Sequence, residues 1–478
     1  MDNNISKTKI IATIGPASSS KDALLKMAAA GMDVCRLNFS HGAYEDHLKV
    51  INNIHDINEE NKIHIAILAD LQGPKIRIGD VEKDGVVLKD GDELIITTLP
   101  CIGNSKKVYI TYPEFPKDVQ SEEKILVDDG KIILTVISSN NKDEVITKVV
   151  HGGILSSKKG VNLPNTKVSI PSLTEKDLKD LDFVLQNRVQ WIGLSFVRAA
   201  SDIIELKHII ASKLKYKRPN VIAKIEKPEA IDDIDNIIKE VDGLMVARGD
   251  LGVETPIESV PHIQKMLVRK CIENAKPVII ATQMMESMIT NVTPSRAEVN
   301  DVANSVIDGA DALMLSGETS VGAHPELVIK TMQKIINQVE STENIYYKNC
   351  VPKDQNHPRY ISDSIICNSI KLAQQVDAKA VIAMTHSGYS AYKISSFRPQ
   401  SQIFIFTNNH SLLSTLSLVW GIRGFYYDKF ISTDHTVEDI IRKLQKSKYI
   451  KEDDYVINIA STPIDEKGKT NMIKLSRV

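Results

Sequence analysis

Aromatic residues are scarce in this 478-residue chain: Phe, Trp and Tyr make up 5% of it, and only two are Trp. That argues against the stacking platforms that hold single-stranded nucleic acid. Lys and Arg total 59 against 61 Asp and Glu, a net charge of −2, so the chain exerts no global pull on nucleic acid or an anionic membrane. No apolar run approaches the ~18 residues of a membrane span. The opening MDNNISKTKI is polar, and the apolar stretch after it is cut short at Gly15-Pro16, so no secretory h-region is expected. The five cysteines (Cys35, Cys101, Cys271, Cys350 and Cys367) are scattered, with no CxxC pair and no Cys/His cluster at zinc spacing. Together these absences point to a reducing, cytoplasmic setting and to small-molecule partners.

What is present is length for roughly three domains and 42% hydrophobic residues, enough for several cores. Short β-branched runs at 9–15, 33–39 and 64–70 alternate with amphipathic stretches such as KDALLKMAAAG. From about Gly79 the texture becomes period-2 strands punctuated by Asp84-Gly85, Asp90-Gly91, Asp129-Gly130 and Gly152-Gly153, which reads as an all-β insert. The α/β rhythm returns with runs at 191–196, 220–225, 243–248, 276–282 and 312–317. Three strands before the insert and five after it predict a (β/α)8 TIM barrel from 1–79 and 165–345, about 260 residues against a typical ~250. A doubly wound open sheet is the competing architecture. The insert occupies 80–164 as a β-barrel lid. A polar connector near 348–358 leads to a C-terminal α/β unit, 346–478, with strands at 380–384, 403–406, 425–428 and 455–460 and an antiparallel edge strand in TNMIKL.

Working residues of a (β/α)8 barrel sit at the C-terminal ends of its strands. Those ends carry Arg36, Asn38, Ser40 and His41; Asp70, with Lys75 and Arg77 beyond a Gly-Pro turn; Ser195; Lys224 and Glu226; Arg248 and Asp250; Thr282 and Gln283; and Ser316 and Glu318. One such group is commonly a helix cap or a solvated side chain. Seven strand ends together suggest a phosphate site with a divalent metal. Glu226 and Asp250 supply hard oxygen ligands. Lys224, two residues before Glu226, shares its face and can neutralise charge on a moving phosphoryl group. Gly249-Asp250-Leu251-Gly252, ahead of a short helix, can aim N–H groups at an anion.

Eight collinear segments carry a family resemblance: KIIATIGPAS (9–18), VCRLNFSHG (34–42), GPKIRIG (73–79), KKGVNLP (158–164), AKIEKPEA (223–230), MVARGDLGVE (245–254), ATQMMESMI (281–289) and MLSGETSVGAHP (314–325). In this the chain resembles the pyruvate kinases. The resemblance implies transfer of the phosphoryl group of phosphoenolpyruvate to ADP, giving pyruvate and ATP. It implies that Lys224 stabilises the phosphoryl group and enolate oxygen, that Glu226 and Asp250 hold Mg2+ (or Mn2+), and that Arg36 binds the phosphoryl group. Ser195, Gly249, Asp250 and Thr282 then line the substrate, with Thr282 relaying a proton to the enolate carbon. Asn38, His41, Arg77 and Lys159 face the nucleotide, which brings a second Mg2+. A cytoplasmic homotetramer is likewise implied.

One departure concerns K+. Many members of the family place a Glu after the Gly-Pro and a Thr after the strand-three Asp; here Lys75 and Leu71 stand in those places. With Asn38, Ser40 and Asp70 still present, Lys75 is expected to replace the monovalent cation with a fixed one. In the C-terminal unit, Thr385, His386, Ser387, Gly388 and Ser390 precede or open a helix expected near Ala391 and resemble an allosteric phosphate cradle. Tyr389 and His386 differ from the Lys and Arg of some sugar-bisphosphate-regulated members, and an ordinary helix cap fits equally well. Gly468-Lys469-Thr470 is assigned to a turn because Pro463 occupies the first glycine place of a P-loop. A metal-dependent lyase would share the two carboxylates without needing Arg77 or the insert, whereas a silent metabolite sensor would dispense with Lys224, Glu226 or Asp250.

Overall fold

The structure, a computed structural model, describes residues 6–82, 85–164, 166–214, 218–342, 344–348, 352, 355–429, 432–463 and 468–478. Asp84, Cys350, the expected boundary residue at 165 and part of the polar connector lie outside the described residues.

Eight parallel strands close into a barrel: β1 (Lys9–Thr13), β2 (Val34–Asn38), β3 (Ala66–Asp70), β4 (Trp191–Leu194), β5 (Asn220–Ile225), β6 (Gly243–Ala247), β7 (Val278–Ala281) and β8 (Ala312–Leu315). Each pairs with its neighbours in sequence, and β1 pairs with β8 to shut the ring. This settles the choice against an open sheet. Strand alternation decides what faces the lumen. Ile11, Val34, Leu68, Trp191, Ile222, Met245, Ile279 and Met314 fill its lower part as one apolar cluster. Two residues further along β2, β3 and β5 the same face presents Arg36, Asp70 and Lys224. Outward-facing neighbours such as Cys35, Ile67 and Ala223 belong to the larger core beneath the surrounding helices.

Local signals fix the helix ends. The Ser20 hydroxyl accepts from the Ala23 N–H at the start of the helix Lys21–Ala30, and Gly31, at φ 118°, ends it in the left-handed region. Capping boxes start the helices Glu175–Gln186 (Thr174 with Asp177) and Arg296–Asp308 (Ser295 with Glu298).

Between β3 and β4 the chain forms the expected β insert. Its six-stranded sheet runs, edge to edge, Val161–Asn162, Lys124–Val127, Ile132–Ser139, Glu144–His151, Glu93–Thr97 and Lys107–Tyr109; Val86–Leu88 and Gly153–Leu155 form a separate pair. The insert has its own apolar core, including Ile96, Phe115, Leu134 and Val149.

The C-terminal unit is a five-stranded sheet of β9 (Ala380–Met384), β10 (Gln402–Thr407), β11 (Ile422–Tyr426), β12 (Tyr455–Ala460) and β13 (Met472–Arg477), in the order β11-β10-β9-β12-β13. β13 is antiparallel to β12, as expected of TNMIKL. β11 lies three residues earlier than the aromatic run FYYD suggested, because Ile422 pairs with Ile403 and buries there. This unit closes the bottom of the barrel: Leu418 joins the lumen cluster, and Trp191 Nε1 donates to Thr415 O at 3.1 Å. A buried Arg398–Asp311 ion pair of 2.8 Å, with the guanidinium over the Trp420 ring, locks the same junction.

Candidate active site

At the open end of the barrel four charged side chains form a continuous buried row. Arg36 Nε donates to Asp70 Oδ2 at 2.8 Å, and a second guanidinium nitrogen donates to Thr13 Oγ1 at 2.8 Å. Lys224 Nζ lies 3.3 Å from Asp70 Oδ1 and 2.9 Å from Glu226 Oε1, and it donates to Ser195 Oγ at 2.6 Å. Ser195 in turn donates to Leu71 O at 2.7 Å. Lys224 reaches Asp70 across β4 because Gly193 lies between them; a Cβ there would approach Asp70 Oδ1 to 3.1 Å.

Two positive and two negative groups, largely withdrawn from water, govern one another's protonation. Burial alone would push Asp70 up, but Lys224 and Arg36 outweigh it and hold the carboxyl below its usual range. Burial likewise pulls the Lys224 ammonium down, yet Asp70 and Glu226 prevail and raise it. Glu226 is raised, first by burial and further by the Asp250 charge, although Lys224 and the Phe196 N–H, 2.7 Å from Oε2, oppose the change.

Asp250 sits in the short helix Arg248–Glu254 that follows β6, and its carboxylate has no hydrogen bond or ion pair among the described residues. An unpaired carboxylate beside a second one that it repels suits a hard divalent cation. Among the described residues no three His, Cys, Asp or Glu side chains gather as a metal site.

Thr282 and Gln283, just beyond β7, both have positive φ, 71° and 54°. For a β-branched residue that is strained backbone, of the kind held only when its surroundings dictate it. The restraint is visible: Thr282 Oγ1 donates to Ala281 O at 2.6 Å and accepts from the Gly249 N–H at 2.8 Å, while Thr282 O accepts from Arg248 at 2.8 Å. Arg248 also forms a two-pronged pair with Asp301, 2.7 Å on each arm. The Gly249 N–H, expected to be available to an anion, is thus engaged by Thr282.

Of the candidates on the nucleotide side, Arg77 and Lys159 lie together where the insert joins the barrel, and Asn38 and His41 stay at the end of β2. Arg77 bridges Gly160, donates to Lys158 O at 2.8 Å, and lies next to Lys159 through the Ile78 N–H to Lys159 O bond. Lys159 pairs with Asp128 at 3.0 Å, which together with Lys131 holds that carboxyl below its usual range. Asn38 Oδ1 accepts from the Ser40 N–H at 3.1 Å, and exposed His41 gives its carbonyl to His47. Lys75 is exposed and has no ion-pair partner among the described residues, so it is not brought to Asp70.

Glu318 proves structural: its carboxylate accepts from the Ser316 and Met285 N–H groups. In the C-terminal unit the helix Tyr389–Ser396 starts two residues before the expected Ala391, because Gly388, at φ 86°, turns the chain there. Thr385 Oγ1 accepts from the Gly388 N–H and Ser387 Oγ from that of Tyr389, so both hydroxyls are engaged by the turn that opens the helix; Ser390 is buried. Sequence reasoning missed Thr13, whose place on the lumen face of β1 was readable from alternation with Ile11. It also missed Asp301, Lys227 and Glu254, whose partners lie far away in the chain.

A closed parallel barrel with a Lys–carboxylate row and an unpaired acidic group gathered at its C-terminal rim has the build of a (β/α)8 enzyme, whose working groups sit at that end. The pyruvate kinase barrel domain matches residues 5–329, and the pyruvate kinase alpha/beta domain matches residues 363–476. The chain is 42% identical to a pyruvate kinase of Corynebacterium efficiens over 98% of its own length and 97% of that protein's. It is 40% identical to one from Mycobacterium tuberculosis strain H37Rv, over 98% of each chain. The crystal structure of a pyruvate kinase from Cryptosporidium parvum superposes with a TM-score of 0.93 at 33% identity, covering 100% of this chain and 97% of that one. The chain belongs to the pyruvate kinase family and is a phosphotransferase enzyme.

Proposed function

We propose that the enzyme transfers the phosphoryl group of phosphoenolpyruvate to ADP, with the reacting atoms above the Arg36–Asp70–Lys224–Glu226 row. The observation that carries this reading is the Lys224 ammonium, fixed by Asp70, Glu226 and Ser195 beside an unpaired Asp250. Because the carboxylates raise it, Lys224 stays charged and serves as an electrostatic clamp on the phosphoryl and enolate oxygens, not as a proton donor. Arg36, oriented by Asp70 and Thr13, turns its remaining N–H groups to the phosphoryl oxygens. Glu226 and Asp250 would hold Mg2+ or Mn2+, which when bound supplies positive charge against those same oxygens.

The substrate carboxylate meets the start of the helix Arg248–Glu254. To use the Gly249 N–H it displaces the Thr282 hydroxyl, which frees that hydroxyl to relay a proton toward the enolate carbon. Arg77 and Lys159, side by side at the insert hinge, take the nucleotide phosphates, with Asn38 and His41 on the barrel side.

Activity is independent of K+ in this reading. Asp70 is already neutralised by Arg36 and Lys224, and the Leu71 carbonyl is taken by Ser195, which leaves little for a monovalent cation to coordinate. A phosphorylated effector at Thr385–Ser390 would have to break the Gly388 N–H to Thr385 bond. Family membership supports a cytoplasmic homotetramer, which light scattering of the active protein tests; among the described residues no helix is long and apolar enough to cross a membrane. Measuring pyruvate formation with ADP or divalent metal withheld tests the reaction itself.

A further inference from the structure

The helix Arg248–Glu254 is pinned at both ends. At its start Arg248 is held by Asp301 and Thr282 O. At its end Glu254 Oε1 accepts from Lys227 Nζ at 2.7 Å and from Asn162 Nδ2 at 2.8 Å. Lys227 directly follows Glu226, and both Lys227 and Glu254 are buried, 8% and 4% exposed. Asn162 belongs to the insert: it lies on the edge strand Val161–Asn162 and pairs with Leu126 of the six-stranded sheet. Glu254 Oε2 is buried without a hydrogen-bond partner. A buried carboxylate left half-satisfied is costly and calls for an explanation beyond packing.

We propose that Glu254 is a positioning residue through which the insert holds the helix that carries Gly249 and Asp250. Three parts of the chain converge on this one carboxylate: the end of β5 through Lys227, the short helix through its own backbone, and the insert sheet through Asn162. Movement of the insert relative to the barrel therefore acts on Asp250 through a single hydrogen bond, and the distance from Asp250 to Glu226 depends on where the insert stands. The inference rests on the reading of Glu226 and Asp250 as the metal carboxylates only for its effect on metal binding; the mechanical link is independent of that reading.

Asn162→Ala tests it, because it removes the insert's grip and leaves the Lys227–Glu254 pair intact. Amide hydrogen exchange is measured on the full-length protein, together with Mn2+ binding followed by the electron paramagnetic resonance of the free ion. Lys158→Ala, a substitution of an exposed side chain in the same hinge, is the control. The expected result is exchange at least fivefold faster across residues 249–254, with unchanged exchange in 132–139 of the insert, and Mn2+ bound about fivefold more weakly. Glu254→Gln, which keeps an acceptor for Asn162, should disturb 249–254 less than Glu254→Ala. Exchange in 249–254 within twofold of wild type for Asn162→Ala, or equal acceleration by Lys158→Ala, would overturn the proposal. If the wild-type protein binds no Mn2+, the metal reading fails, and the exchange result alone decides whether the link exists.

Discussion

The Gly249 N–H donates to Thr282 Oγ1 across 2.8 Å, joining the start of the Asp250 helix to a threonine in strained backbone at the end of β7. In the proposed reaction this hydroxyl, which here restrains the helix, relays a proton to the enolate carbon. Thr282→Ala should therefore slow proton exchange at the methyl carbon of pyruvate by ~100-fold, the scale of a lost proton relay, while KM for phosphoenolpyruvate changes by only about threefold. Thr282→Ser should recover most of the exchange. Unchanged methyl exchange in the alanine variant would remove Thr282 from the protonation step.

In the proposed mechanism Lys224 is needed more for phosphoryl transfer than for proton exchange at the enolate carbon. Lys224→Met should largely abolish phosphoryl transfer yet leave pyruvate methyl exchange measurable. It also strands Asp70 and Glu226 without their shared ammonium, a loss that costs about 3–5 kcal/mol for a broken buried pair. Thermal unfolding should show a markedly lower midpoint. Loss of both activities in a protein with a native circular dichroism spectrum would refute the division of roles.

Acid sensitivity should come partly from three partly buried histidines, His47, His55 and His64. Burial pushes His47 below the ordinary histidine value, and His55 and His64 are lowered by burial in the same way. His47 Nε2 lies 3.1 Å from the His41 carbonyl, so that nitrogen carries a proton in the neutral ring. The unfolded chain then binds more protons than the folded one just below pH ~6.5. Stability accordingly falls as pH drops through that window and is flat above it with respect to these groups. Urea midpoints between pH 7.5 and 5.5 should decline, and His47→Gln should make the decline shallower.

The Lys75 position tests the monovalent cation. Full activity is expected in a tetramethylammonium background without K+, and Lys75→Glu should leave it so, because Asp70 and the Leu71 carbonyl stay engaged by Arg36, Lys224 and Ser195. Strong K+ activation of the unaltered enzyme would contradict the proposal.

Much of this was legible because a barrel strand has period two. Once Val34, Leu68 and Ile222 are placed in the lumen, Arg36, Asp70, Lys224 and Glu226 follow them. What alternation could not supply is reach across strands: that Gly193 lets Lys224 meet Asp70 depends on the register of β3, β4 and β5. Nor could it reveal pairs formed across long chain separations, such as Arg248 with Asp301 and Asn162 with Glu254. At Thr385 and Ser387 residue type alone cannot separate a phosphate cradle from a helix start, since hydroxyls suit both.

The most direct test of the central claim is a coupled assay of pyruvate formed from phosphoenolpyruvate by the purified protein. The account predicts turnover that requires ADP, stops with EDTA, returns with Mg2+ or Mn2+, and is lost in Asp250→Asn. Pyruvate release at an equal rate without ADP, or full activity in EDTA, would contradict it.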